Sequence, residues 1–280
     1  MRSRSKAALA DGDIESPAPP SSRAGALKPD GDARGLDGDH GAIALLLLLY
    51  TLQGVPLGLA QSVPFLMQSR GVTMTDQAQF SLVWYPFSLK LLWAPLVDSV
   101  YVSSFGRRKT WIVPTQLAIG VLLLHAGSYV DAWLAEGLPS GATTDVRSLT
   151  LLFCGFVFLA ATQDIAVDGL ALTVLSERNK ELGATCNAVG QTFGTFISYV
   201  GFLALSAYGL VTLGGFMVFW GWVFLGSTLW VLTVRRDEHT PQPGGAGAAM
   251  VATYLEMWQV LKLPNVNREF CFIVISRCNC

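Results

Sequence analysis

Residues 182–234 form a stretch of 53 residues without one Asp, Glu, Lys or Arg. As a single helix, at 1.5 Å per residue, such a run would far exceed the ~30 Å hydrocarbon core of a bilayer. It must therefore cross twice, and Tyr208-Gly209-Leu210-Val211-Thr212-Leu213-Gly214-Gly215 supplies the turn. A chain that carries such a run belongs in a membrane. Composition agrees: 51% of the residues are hydrophobic, only 14% are charged, and mean hydropathy is +0.44.

Charge boundaries place four further spans upstream. Six transmembrane helices are predicted in all, at about 42–66, 77–98, 110–130, 148–175, 183–207 and 213–234. The fold class is all-α integral membrane. The first span is interrupted by Gly54, Pro56, Gly58 and Pro64, and the second is broken by Lys90 alone. Residues 1–40 mix Ser, Pro, Gly and Asp and cannot bury a core, so they read as a disordered cytoplasmic tail. No apolar stretch precedes Gly41, so the first span is expected to be an uncleaved anchor. Residues 235–269 read as a cytoplasmic linker. Its amphipathic segment sets Tyr254, Leu255, Trp258 and Leu261 against Glu256, Gln259 and Lys262, as in a helix lying on the bilayer surface. Residues 270–280 read as a truncated or divergent tail.

Orientation follows from the basic residues of the short loops. With the N-terminus in the cytoplasm, cytoplasmic loops hold Arg107, Arg108, Lys109, Arg178, Lys180, Arg235 and Arg236, while the opposite loops hold only Arg70 and Arg147. That asymmetry obeys the positive-inside rule. A net charge of −1 gives no reason to expect nucleic acid as a partner. The five cysteines show neither zinc-site spacing nor a disulfide framework, so no metal or cofactor is expected.

The polar residues inside the spans carry the functional argument. Asp164 and Asp168 sit four apart in Gln163-Asp164-Ile165-Ala166-Val167-Asp168-Gly169, on one face of the fourth span. Each acid costs ~2.5–3.5 kcal/mol at a helix centre in hydrocarbon, and such residues face a bundle interior or a watery cavity. Lys90 is the basic residue deep in a span, so it is the natural partner for one of them. Gln53 and Gln61 on the first span, Gln163 on the fourth, and Asn187 and Gln191 on the fifth complete a candidate substrate pathway or charge network. The alternative for the Lys90 pair is a salt bridge that fixes helix packing.

Pro95-Leu96-Val97-Asp98, followed by Gly106-Arg107-Arg108-Lys109, resembles the loop signature of the major facilitator superfamily. There the acid caps a helix and the basic residues pair across the cytoplasmic gate. Asp98, Gly106, Arg107 and Arg108 take those positions here, with Tyr101-Val102-Ser103-Ser104-Phe105 lengthening the gap. The alternative is simple positive-inside anchoring.

Three motifs together resemble the acetyl-coenzyme A transporter family: Tyr50-Thr51-Leu52-Gln53-Gly54-Val55-Pro56-Leu57-Gly58-Leu59, the stretch from Phe80 through Lys90-Leu91-Leu92-Trp93-Ala94-Pro95, and Gln163-Asp164-Ile165-Ala166-Val167-Asp168-Gly169. The bacterial muropeptide permeases share a looser form. The resemblance implies the six-span N-terminal half of a major facilitator bundle in the endoplasmic reticulum membrane. It implies import of acetyl-CoA into the lumen in exchange for CoA, where acetyl groups serve lumenal acetylation. The family is about twice this length, so a C-terminal half or a full-length protomer is an implied partner, and this chain alone is expected not to transport. The rival readings are a membrane enzyme built on Asp164 and Asp168, or a non-transporting adaptor. The enzyme reading lacks a second acid pair in a span.

Overall fold

The computed structural model describes residues 38–134, 144–234 and 246–262; among them there is no strand. The expected tail at 1–40 (but for its last three residues), most of the linker and the segment 270–280 lie outside these residues. Helix α1 spans His40–Ser69. It continues through Pro56 and Pro64, which the sequence marks as interruptions. A membrane helix tolerates proline where a neighbouring helix packs closely against it, and the glycine contacts described below bring one against this part of α1.

The stretch expected as a second continuous span is a chain of short pieces instead. Helix α2 covers Met74–Phe80, a 3₁₀ turn Ser81–Trp84, α3 Tyr85–Ser88, a second 3₁₀ turn Lys90–Leu92, and α4 Ala94–Ser99. Two prolines explain much of the break. Pro86 and Pro95 sit at the starts of α3 and α4, where the missing N–H costs least, and neither can extend the ladder of the preceding piece.

Helix α5 follows at Lys109–Trp133 and α6 at Val146–Val174. Helix α7 runs Leu182–Phe196 and passes through a π turn, Ile197–Gly201, into α8, Phe202–Ala207. Helix α9 is Leu213–Val234 and α10 is Ala246–Leu261. Among the described residues, five helices are long and apolar enough to cross a membrane: α1, α5, α6, α7 joined to α8, and α9. The uncharged stretch from 182 thus divides as expected, at a turn where Gly209 takes φ +67°. The Asp131 carboxylate accepts the Gly214 N–H at 2.6 Å, closing the start of α9 against the end of α5.

Glycines set how closely the helices approach. A Cβ on Gly194 would overlap the Thr51 carbonyl, and one on Gly54 would overlap that of Gln191, so α1 and α7 touch backbone to backbone. Gly127 and Gly214 do the same for α5 and α9. Two apolar cores result. One gathers Phe80, Phe153, Phe156, Phe202 and Phe224; the other gathers Leu46, Leu49, Ile112, Ile165 and Val231. On α1 the second core ends at Tyr50 and the first begins at Leu52; on α6 the first ends at Ala160 and the second begins at Ile165. Polar residues fill the join.

Candidate functional site

Helices α1, α6 and α7 and the 3₁₀ turn Lys90–Leu92 bring the polar residues of that join together. Asp164 is 1% exposed, and Lys90, 29% exposed, donates from Nζ to its Oδ2. The break in the second span lets this lysine turn inward. Gln53 Nε2 donates to Asp164 Oδ1 at 2.6 Å, and Asn187 Nδ2 approaches the same oxygen at 3.5 Å. Asp168, one turn along α6, is half-buried. Its Oδ1 accepts the Tyr50 hydroxyl at 2.7 Å and Asn187 Nδ2 at 3.0 Å. Asn187 therefore bridges the two acids. One acid is matched by a cation and the other by neutral donors, which spreads the like charge without cancelling it.

Spacing explains why these side chains meet. Tyr50 and Gln53 are three apart on α1, and Asp164 and Asp168 four apart on α6, so each pair shares a helix face. Trp93 Nε1 donates to Thr162 Oγ1 at 3.2 Å, which ties the broken span to α6 beside Lys90. The Oε1 atoms of Gln53 and Gln163 are buried with no partner among the described residues. A cleft of about 500 Å³ opens beside Asp168; Tyr50, Asn187, Gly183, Leu172 and Lys180 help to line it.

Not every candidate joins this cluster. Gln61 is exposed, two turns of α1 beyond Gln53. Gln191 is half-buried and meets α1 through its backbone carbonyl, at Gly54. Gln163 is fully buried, with Nε2 3.5 Å from the Leu49 carbonyl oxygen. Tyr50 and Thr162 are not among the site residues that the sequence nominates. The spacing of Tyr50 to Gln53 is the signal that would have found the first of them.

The loop after α4 forms a second cluster. Arg108 Nη1 donates to Asp98 Oδ1 at 2.6 Å, and Arg107 Nε donates to the Asp98 carbonyl at 3.1 Å. Gly106 has φ +99°, a conformation that glycine adopts freely, and its carbonyl accepts the Thr110 hydroxyl at 2.7 Å. The lengthened gap thus closes on itself. The Arg108 guanidinium lies directly over Gly169, where a Cβ would overlap it, so this loop rests on α6 one residue past Asp168. At the start of α1, the Asp39 carboxylate accepts from Ser176 Oγ at 2.6 Å and Asn179 Nδ2 at 2.8 Å. Those two donors, Ser176 first, hold its pKa below the ordinary carboxylate value.

A family profile described as "Acetyl-coenzyme A transporter 1" matches residues 42–246. The chain belongs to the acetyl-coenzyme A transporter family. It is 35% identical over 221 residues to an uncharacterized membrane protein of Saccharomyces cerevisiae, covering 69% of this chain and 40% of that protein. An uncharacterized protein of Schizosaccharomyces pombe is 36% identical over 236 residues, covering 79% of this chain and 42% of its own length. The anhydromuropeptide permease of Escherichia coli K12 is 31% identical over 156 residues, covering 55% of this chain and 30% of the permease. The chain thus spans 40% and 42% of the length of the two fungal relatives. No solved structure matches it at a significant level. The family match and the five long apolar helices make this a multi-pass membrane protein.

Proposed function

We propose that the protein is an acetyl-CoA transporter of the major facilitator type. The five long helices and the broken second span, Met74 to Ser99, form a six-span half that supplies one wall of the substrate path. The direction is from cytosol into the endoplasmic reticulum lumen in exchange for CoA, with the N-terminus cytoplasmic, as the loop charges favour.

One observation carries this reading. The Lys90–Asp164 pair is continuous, through Asn187, with an acid that borders an open cleft. Transporters of this kind bind substrate near the midplane between two halves. Carboxylates repel the phosphates of acetyl-CoA, so Asp164 and Asp168 act as a conformational lock that changes partners as the bundle rocks. Lys90, with Arg107 and Arg108 at the cytoplasmic gate, attracts the anion. Gln53 and Asn187 hydrogen-bond the polar parts of the ligand, with Gln61 and Gln191 further along the same helices; Gln163, fully buried, supports the network from behind. A C-terminal half or a full-length protomer supplies the second wall.

Reconstitution tests both parts. The purified chain in lipid nanodiscs should bind labelled acetyl-CoA saturably and release it to excess CoA. In proteoliposomes the same chain by itself should accumulate no label above empty vesicles. Robust uptake by the chain by itself would overturn the one-wall reading. Absence of saturable binding would overturn the substrate.

A further inference from the structure

The carbonyl of Leu92 has no partner within the broken span. Three residues on is Pro95, which has no N–H. Four residues on is Leu96, whose N–H goes to the Trp93 carbonyl at 3.0 Å. A carbonyl left without a partner is destabilising, and closing it with one hydrogen bond gains a modest net stabilisation. Tyr254 of α10, a helix far away in sequence, donates its hydroxyl to the Leu92 oxygen at 2.7 Å.

The remainder of α10 fits that contact. Tyr254 and Met257, three apart, are half-buried where the helix packs along α4, whereas Leu255 and Trp258 are exposed at 57% and 58%. One apolar side docks on protein and another is left for lipid. The contacted turn, Lys90–Leu92, is the one that carries Lys90, and its residues Leu91 and Leu92 are 54% and 60% exposed, so few other contacts hold it.

We propose that α10 is a strap on the broken span: by closing the Leu92 carbonyl, Tyr254 holds the Lys90 turn in the position that pairs Lys90 with Asp164. Release of the strap frees that turn to move. This is a conformational device built into the fold, and it is independent of which molecule is carried.

The test uses the full chain in lipid nanodiscs, with backbone hydrogen exchange and acylation of Lys90 by a water-soluble amine reagent, both read by mass spectrometry. Tyr254→Phe should speed exchange at residues 89–97 and acylation of Lys90 by about fivefold, the factor that one net hydrogen bond supports. Exchange in α1 and α7 should not change. Met257→Ala, which loosens the docked side without touching the hydroxyl, should act in the same direction. Leu255→Ala, on the lipid side, should not. Unchanged exchange at 89–97 and unchanged Lys90 acylation in Tyr254→Phe would overturn the strap. Acceleration spread equally over α1 and α7 would overturn it too, since α10 would then be a general stabiliser.

Discussion

Replacing Lys90 by Met removes the one cation paired with Asp164. The carboxylate left behind is 1% exposed, with the Gln53 amide at 2.6 Å and a long contact from Asn187. Breaking a buried pair from one side costs ~3–5 kcal/mol. Lys90 is 29% exposed, so solvent screens part of the attraction and reduces that figure. A loss of ~2–3 kcal/mol is expected for Lys90→Met. Asp164→Asn should cost less, ~1–2 kcal/mol, because the lysine can turn its head to water. The double variant carries no unpaired Asp164 charge; a coupling energy of ~2 kcal/mol would leave it only ~1–3 kcal/mol less stable than wild type, well below the sum of the single losses. Denaturant titration in lipid–detergent micelles, followed by the fluorescence of the eight tryptophans, measures all four corners of the cycle. Additive single effects, with coupling below ~0.5 kcal/mol, would refute the claim that these two side chains stabilise each other.

Three further perturbations follow from the packing and the loop contacts. Gly194→Leu should push α7 off α1, destabilise the fold by ~3 kcal/mol or more and pull Asn187 from Asp168; a thermal shift below about 2 °C would contradict the backbone contact. Asp131→Ala should leave the Gly214 N–H without its acceptor and cost ~1 kcal/mol, with faster amide exchange confined to the start of α9. Asp39 gives a pH signature. Its folded pKa is depressed, so its contribution is present above about pH 4 and is lost as pH falls through the folded value. The Tm difference between wild type and Asp39→Asn should be constant from pH 7 to about 5 and should shrink towards pH 3; a difference that grows on acidification would contradict the assignment.

Much of this was legible in the chain itself, for reasons that differ from element to element. Uncharged runs of 20 residues and more have few alternatives to helix in hydrocarbon, so α1, α5, α7 with α8, and α9 were readable from charge spacing alone; α6 was readable from its apolar composition despite its two acids. The second span was not, because hydropathy sums over Pro86 and Pro95 without registering the N–H groups they lack. That break orients the turn bearing Lys90. The acid pair was visible as a cost, and Lys90 as its cheapest remedy. Tyr50 was hidden by its chemistry: an aromatic in an apolar run reads as core, and its hydroxyl matters only once α6 is alongside. Asp39 was hidden in the same way, since its partners Ser176 and Asn179 lie more than 130 residues along the chain. Gln61, nominated by polarity, stands eight residues from Gln53 on an exposed stretch of α1, outside the polar cluster.

The most direct test of the proposed transporter is equilibrium binding of labelled acetyl-CoA to the chain in nanodiscs, with wild type and Lys90→Met compared at the same pH and salt. Saturable binding is expected, displaced by excess CoA and weakened tenfold or more by Lys90→Met, equivalent to ~1.4 kcal/mol or more. Equal affinity in the two proteins, or no saturable binding in either, would contradict it.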